Sequence, residues 1–358
     1  MKRDLQSSIR IAGVAVALLM AIVLPNFVSI AAQEVFVLIA SFALLTLGLN
    51  VVVGFAGLLD LGYVAFFATG AYTWAILSGA GPTKFGFTQT AFWEEWGFWL
   101  ILAFVLVINM GIGVLLGSPT LRLRGDYLAI VTLGFGEIVR IVASNLDNLS
   151  GGAQGISGVP HPTVPVVGFG FGLNPLPYLY LLIALLVLGT WAIRGLDRSR
   201  IGRAWVAIRE DEVAAEAMGI PTLKMKLMAF AIGAVTAGFA GVVSAAKINF
   251  ISPPSFDIFF SILILAAVVL GGMGSIPGSL VGAFIIAGIP ALVQLRYSRF
   301  DEFRYWAFGG LLVTMMIFRP QGLIPSKRRA AELQPESEAD AVVEESTPSA
   351  RSGTEEKA

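Results

Sequence analysis

"DRSRIGRAWVAIREDEVAAEAMGIP", residues 197–221, is the most polar stretch between the ends of a strongly apolar chain. An apolar run at 176–194 precedes it and another at 227–248 follows, each long enough to span a membrane. Hydrophobic periodicity reads 199–219 as helix in two pieces. Ile201, Ala204, Trp205 and Ile208 share one face at three-to-four-residue spacing. Val213, Ala214, Ala217 and Met218 form a second stripe after the charged Arg209–Glu212 segment. Asp211 is placed to cap the second piece, Gly219 to stop it and Pro221 to prevent its continuation. The product is one or two short helices presenting Ala and Met beside Arg209, Glu212 and Glu216. A connector lying on lipid would carry Phe or Leu where this one carries Ala, and fewer acidic groups. A small-residue face rimmed by charge suits docking into a protein groove instead.

The rest of the chain supplies the membrane. Of its 358 residues, 56% are hydrophobic and 13% charged, about half the charged fraction of a soluble domain. Forty glycines fit closely packed membrane helices. Apolar runs fall near 9–24, 33–49, 51–79, 97–117, 127–145, 176–194, 227–248, 257–273, 276–295 and 304–318. The expected fold is all-α: a polytopic membrane protein with about ten membrane-spanning or broken helices and short cytoplasmic coupling helices. Zero net charge gives no pull toward nucleic acid, and the absence of cysteine removes disulfides and thiolate metal sites.

Lys and Arg placement orients the chain. The amino end, 119–126 (Arg122, Arg124), the loop 195–226 and the carboxyl end (Lys327, Arg328, Arg329) are basic. The connections 146–175 and 249–256 hold no Lys or Arg. Alternation places the basic segments, residues 1–8 included, in the cytoplasm, so both ends are cytoplasmic. The exception is 296–304, with Arg296, Arg299 and Arg304. Lys2, Arg3 and Arg10, with Ser29-Ile30-Ala31 beyond, fit a retained first helix or a cleaved signal peptide; a retained helix is the expectation. Residues 9–325 read as the membrane domain and 326–358 as a disordered acidic tail.

Within the membrane domain, "GLNVVVGFAGLLDLGYVAFFATGAY" (48–72) and "GGMGSIPGSLVGAF" (271–284) are interrupted by glycine. Backbone freed there must be packed against protein or line a wet cavity, so both close helix packing and a solute path are open readings. Gly54, Gly57, Asp60, Gly62, Tyr63, Gly271, Gly272 and Gly274 are the candidates for that path. Glu137 and Arg140, three apart, are expected to pair with each other. Asp60 has no such neighbour and either serves function or bonds a broken helix end. His161 in the external loop reads as a surface histidine. No G-x-x-x-x-G-K-[ST] loop, H-E-x-x-H or G-x-S-x-G is present, so nothing looks catalytic and no cofactor is expected on this chain.

The loop "RIGRAWVAIREDEVAAEAMGI" resembles the cytoplasmic coupling loop of ABC importer permeases of the branched-chain amino acid, LivM type. The 48–72 block, "LRLRGDYLAIVTLGFGEIVRIV" (121–142), "GGAQGISGVP" (151–160), "LGGMGSIPGSLVGA" (270–283) and "FRPQGLIP" (318–325) match the same family in order. The resemblance covers nearly all of 40–325 and leaves the tail outside. It implies a permease of the bacterial inner membrane. Its partners would be a homologous second permease, two cytoplasmic ATPases that use ATP, and an extracytoplasmic solute-binding protein. By position it implies an ATPase contact at Glu212, Ala215, Glu216 and Gly219, with Arg203 and Arg209 beside them.

The implied cargo is a branched-chain or other neutral amino acid. A urea-type permease is a near branch, and "LDLGYVAF" (59–66) is closer to the amino acid branch. Two other classes stay open. A secondary transporter would need intramembrane carboxylates, of which Asp60 is one, and a membrane scaffold or sensor would suit a docking helix without broken spans.

Overall fold

The computed structural model describes residues 20–84, 90–121, 123, 125–165, 168–296, 309–310, 313–314, 317–319 and 322–325. The expected amino end at 1–8, most of the run at 9–24, Arg122, Arg124, Arg299, Arg304 and the acidic tail lie outside them, as does much of 304–318. Among the described residues, the runs from 33–49 to 276–295 become seven helices of spanning length and one shorter apolar helix. The expectation of one helix through 51–79 is corrected. Its first residues finish α1 (Ile30–Phe55), and after a break at 56–63 the chain re-enters as α2 (Val64–Leu77). The break is where Gly57 takes a φ of 71°, a conformation open to glycine and strained for other residues.

The remaining helices are α3 (Ala91–Thr120), α4 (Asp126–Asn145), α5 (Pro175–Asp197), α6 (Arg200–Glu210), α7 (Glu212–Ala217), α8 (Thr222–Ile248), α9 (Ile258–Gly271) and α10 (Ile276–Arg296). Their starts are marked by side chains that satisfy orphan N–H groups. Thr90 accepts from Trp93, Asn174 from Leu176, Asp257 from Phe260 and Ser275 from Gly278, at 3.0–3.3 Å. Ser29-Ile30-Ala31, the stretch that fits a cleavage site in the sequence, is the start of α1, where Ser29 Oγ accepts from the Ala32 N–H.

Helices α1 and α8 are the most enclosed, whereas α3, α4 and α5 leave most of their apolar surface on the outside. Helix α8 packs on α1, α2 and α3, and the α9–α10 hairpin packs on α1. Glycine makes the tightest of these approaches. A Cβ at Gly241 would overlap the Phe67 carbonyl of α2, and one at Gly282 would overlap the Ala267 carbonyl of α9. The tetrapeptide GFAG occurs twice, and its settings differ: 238–241 is continuous helix pressed on α2, and 54–57 is a helix end.

The helix ends gather in two groups. At one, 56–59, Leu123, the start of α4 at Asp126 and Leu128, and Arg209, Glu212 and Lys226 meet around a small cavity of about 180 Å³. At the other, β1 (Ile156–Ser157) and β4 (Phe250–Ile251) pair antiparallel, Ile156 opposite Ile251. A second pair, β2 (Thr163–Val164) and β3 (Phe169–Gly170), is capped by Trp99, whose indole donates to the Thr163 carbonyl at 2.9 Å. His161 is not a free surface residue. Its Nδ1 lies 2.9 Å from both the Tyr178 hydroxyl and the Ala246 carbonyl, because the loop folds back onto the end of α8. Arg296 ends α10 at this second group, so for this residue the exception to the charge pattern stands.

Candidate functional site

The polar loop forms the two helices its periodicity predicts. Ser199 Oγ accepts from Ile201 N–H at 3.1 Å to start α6, and Asp211 Oδ1 accepts from Val213 and Ala214 N–H at 2.8 and 3.0 Å to start α7. Gly219 ends the segment at a φ of 82°. Removing the Asp211 cap with Asp211→Ala is expected to cost about 1 kcal/mol of α7 stability. Amide hydrogen exchange should then be faster across 212–217 and unchanged in α8; equal rates in α7 would disprove the cap's role.

The two apolar stripes point in opposite directions. Trp205 and Ile208 are buried, and the Trp205 indole donates to the Met225 carbonyl at 2.8 Å, tying α6 to the foot of α8. On α7, Val213 is 59% and Met218 83% exposed, with Glu216 and Ala217 exposed between them. The six candidate coupling residues divide along this line. Arg203 and Glu216 face outward, and Gly219 is exposed. Ala215 is buried, and Arg209 and Glu212 turn toward the membrane helices. The Arg209 guanidinium donates to the Gly54 carbonyl at 2.8 Å, and its Cγ occupies the space a Cβ at Gly57 would need. Glu212 pairs with the buried Lys226 at 2.6 Å.

The candidate path residues form the seat beneath these contacts. Gly54 packs directly on Gly274, so a Cβ there would overlap the Gly274 amide. Asn50, buried in the π-turn that ends α1, accepts from Gly274 N–H at 2.8 Å and donates to the Ser275 carbonyl at 3.2 Å. Gly271, Gly272 and Gly274 make the turn between α9 and α10, where Gly272 and Gly274 have φ values of 121° and 76°. Residues 323 and 324 return to this turn, donating to the carbonyls of Leu270 and Gly271 at 3.0 and 2.9 Å.

Asp60 is enclosed in the break between α1 and α2, and its Oδ1 accepts from Gly62 N–H at 2.9 Å. It thus bonds the broken helix end, one of the two roles open to it in the sequence. Gly62 lies against the Thr132 carbonyl of α4. Tyr63 is fully buried, and its hydroxyl donates to the Gly233 carbonyl of α8 at 2.9 Å. Glu137 and Arg140 pair as expected, Nε to Oε2 at 2.9 Å.

Asn50 and Lys226 are contacts of this joint that sequence reading did not single out. Asn50 carries a signal, a lone amide inside an apolar run. Lys226 counts as one basic residue among several until its partner across the loop is visible.

Through side-chain bonds, α6 and α7 are fastened to the ends of two spans, α1 and α8. Arg209 holds α1, Glu212 and Trp205 hold α8, and the Asn50 bridge passes the connection to the α9–α10 turn. Coupling through such a contiguous set of bonds needs no long-range wire.

A family model described as "Branched-chain amino acid transport system / permease component" matches residues 31–318. The high-affinity branched-chain amino acid transport system permease protein LivM of Escherichia coli K12 is 43% identical over 338 residues, covering 88% of this chain and 75% of that protein. A probable LivM of Methanocaldococcus jannaschii is 28% identical over 244 residues, 64% of this chain and 69% of its own. A permease with a second name, LivH of Escherichia coli K12, is 33% identical over 126 residues, 35% of this chain and 40% of its own. No solved structure matches the chain. The match spans α1 to α10, the coupling helices and both interrupted segments, and the chain belongs to the branched-chain amino acid transport permease family.

Proposed function

We propose that the chain is the membrane-spanning permease subunit of an ATP-driven importer, moving branched-chain or other neutral amino acids into the bacterial cytoplasm across the inner membrane. A second, homologous permease completes the path, two cytoplasmic ATPases bind and hydrolyse ATP, and an extracytoplasmic binding protein delivers the amino acid. Basic residues in the loop of α6 and α7, against none in 146–175, favour a cytoplasmic loop and cytoplasmic chain ends. The observation that carries the reading is the division of that loop. One side, with Trp205, Arg209 and Glu212, is fastened to α1 and α8, and the other, with Val213, Glu216 and Met218, is left outward for a partner. ATP-driven closure of the ATPases would pull on the outward stripe, and the inward bonds would rock the spans.

The test is co-purification from the native membrane, with the outward face altered by Glu216→Lys and Met218→Glu together. The unaltered chain is expected to bring down a second permease and P-loop ATPases. The variant should retain the permease and lose the ATPases several-fold. Uptake that survives ATP depletion and collapses with the ion gradient, from a chain that purifies alone, would replace this reading with a secondary transporter.

A further inference from the structure

At the end of the molecule remote from α6 and α7, a cavity of about 680 Å³ opens between α1, α2, α8, α9 and α10. That volume lies within the roughly 300–1,000 Å³ typical of small-molecule sites. Its floor is aromatic. Phe260 packs against Phe42 and Phe67 with ring centroids 5.3 and 5.2 Å apart, and Phe256 joins Phe67 at 5.6 Å. Its rim carries two opposite charges, Glu34 of α1 and Lys247 of the last turn of α8, which contact each other. Glu34 stands eight residues before Phe42, about 12 Å higher along the helix. Both charged side chains border the cavity and are partly open, 43% for Glu34 and 18% for Lys247. The pair therefore edges a largely apolar chamber, unlike Glu212–Lys226, which closes a packed joint.

The geometry points to this cavity as the chain's own amino acid site: Lys247 takes the α-carboxylate, Glu34 takes the α-ammonium, and an apolar side chain enters the phenylalanine-lined chamber. This deepens the permease reading above and rests on it. A lysine ammonium only donates and a carboxylate only accepts, so the two are complementary to the two ends of a zwitterion. The arriving ligand exchanges one ion pair for two, leaving no charge unpaired, which is the condition for burying charge at tolerable cost. Apolar groups dominate the rest of the lining, with Ser41, Ser244, Ser255 and Gln294 its polar side chains besides the ion pair, so a charged side chain would meet no opposite charge there. The cargo class selected is an α-amino acid with an aliphatic or aromatic side chain.

The chain contains no cysteine, so Ser244→Cys, which lines the cavity one turn before Lys247, places a single thiol there. In the full complex in vesicles, leucine is expected to slow maleimide labelling of that thiol several-fold. Leucinamide, which lacks the carboxylate, and isocaproate, which lacks the ammonium, should protect far less. Lys247→Met is expected to abolish leucine protection and raise the KM of leucine uptake at least tenfold, with the ATPases still co-purifying; Lys247→Arg should retain protection. Exchanging the charges, Glu34→Lys with Lys247→Glu, re-forms the ion pair but reverses the cradle, so uptake should stay impaired. Full recovery in the exchanged variant would reduce the pair to a structural tie and overturn the assignment. Vesicles that take up leucine while leucine leaves the thiol's labelling unchanged would overturn it too, with the permease reading intact, as would protection that follows lipid composition instead of leucine. A chain that neither captures ATPases nor moves leucine would remove the permease reading and this site with it.

Discussion

Arg209→Ala is expected to lower the amount of leucine moved per ATP hydrolysed at least tenfold in the reconstituted complex. The side chain joins α6 to the end of α1 in two ways, through its hydrogen bond to the Gly54 carbonyl and through its stem against Gly57. A hydrogen bond from a charged group contributes about 1.5–3 kcal/mol, and its loss leaves the Gly54 carbonyl without this donor. The coupling helices would still meet the ATPases through Val213, Glu216 and Met218, so hydrolysis would continue with a slack connection. Arg209→Lys should recover part of the ratio, since the charge returns without the planar fork. Gly57→Ala should mimic the loss from the other side, because its φ of 71° and the Arg209 stem both exclude a methyl group. A transport-to-hydrolysis ratio unchanged in Arg209→Ala would remove this contact from the mechanism.

That joint was half legible in the sequence. The start and stop of α7 follow from Asp211 and Gly219, local devices acting within four residues. Which stripe faces which partner does not, since Trp205 and Met218 are both apolar and periodicity reports a face without naming what covers it. The same limit hid Glu34 and Lys247. Each stands near a helix end, where a charge reads as an interfacial anchor, and their contact joins positions 213 residues apart in the chain. The interrupted segments were legible as interruptions, and their glycines serve the packing that composition implied. Gly54 on Gly274 and Gly62 on Thr132 are backbone-to-backbone approaches that a single methyl group would block. His161 was misjudged because a Pro- and Gly-rich loop gives no sign that it folds back over the end of α8.

Asn50→Leu is the substitution expected to damage the fold most for its size. Leucine keeps the branch at Cγ and the number of heavy atoms but is the bulkier side chain, so the substitution removes the amide and crowds a buried position at once. The amide satisfies two groups of the α9–α10 turn, the Gly274 N–H and the Ser275 carbonyl. Water does not reach the amide itself, since Asn50 is fully buried. Without the amide the Ser275 carbonyl keeps the Ser279 N–H at 3.0 Å, but the Gly274 N–H loses its acceptor, and a group left unpaired in such a setting costs about 1–3 kcal/mol. The Gly274 N–H cannot easily find a new partner, because it is pinned by its positive φ and by Gly54 against it. The expected result is a marked fall in thermal stability after detergent extraction and loss of most monodisperse protein, read by size-exclusion profiles over a temperature series. Asn50→Asp separates the two bonds, since its carboxylate can still accept from Gly274 but repels the Ser275 carbonyl and buries a charge. It should be no better tolerated than leucine. Profiles of Asn50→Leu that overlay those of the unaltered chain would mean that glycine packing alone, Gly54 on Gly274, holds α1 to the α9–α10 turn.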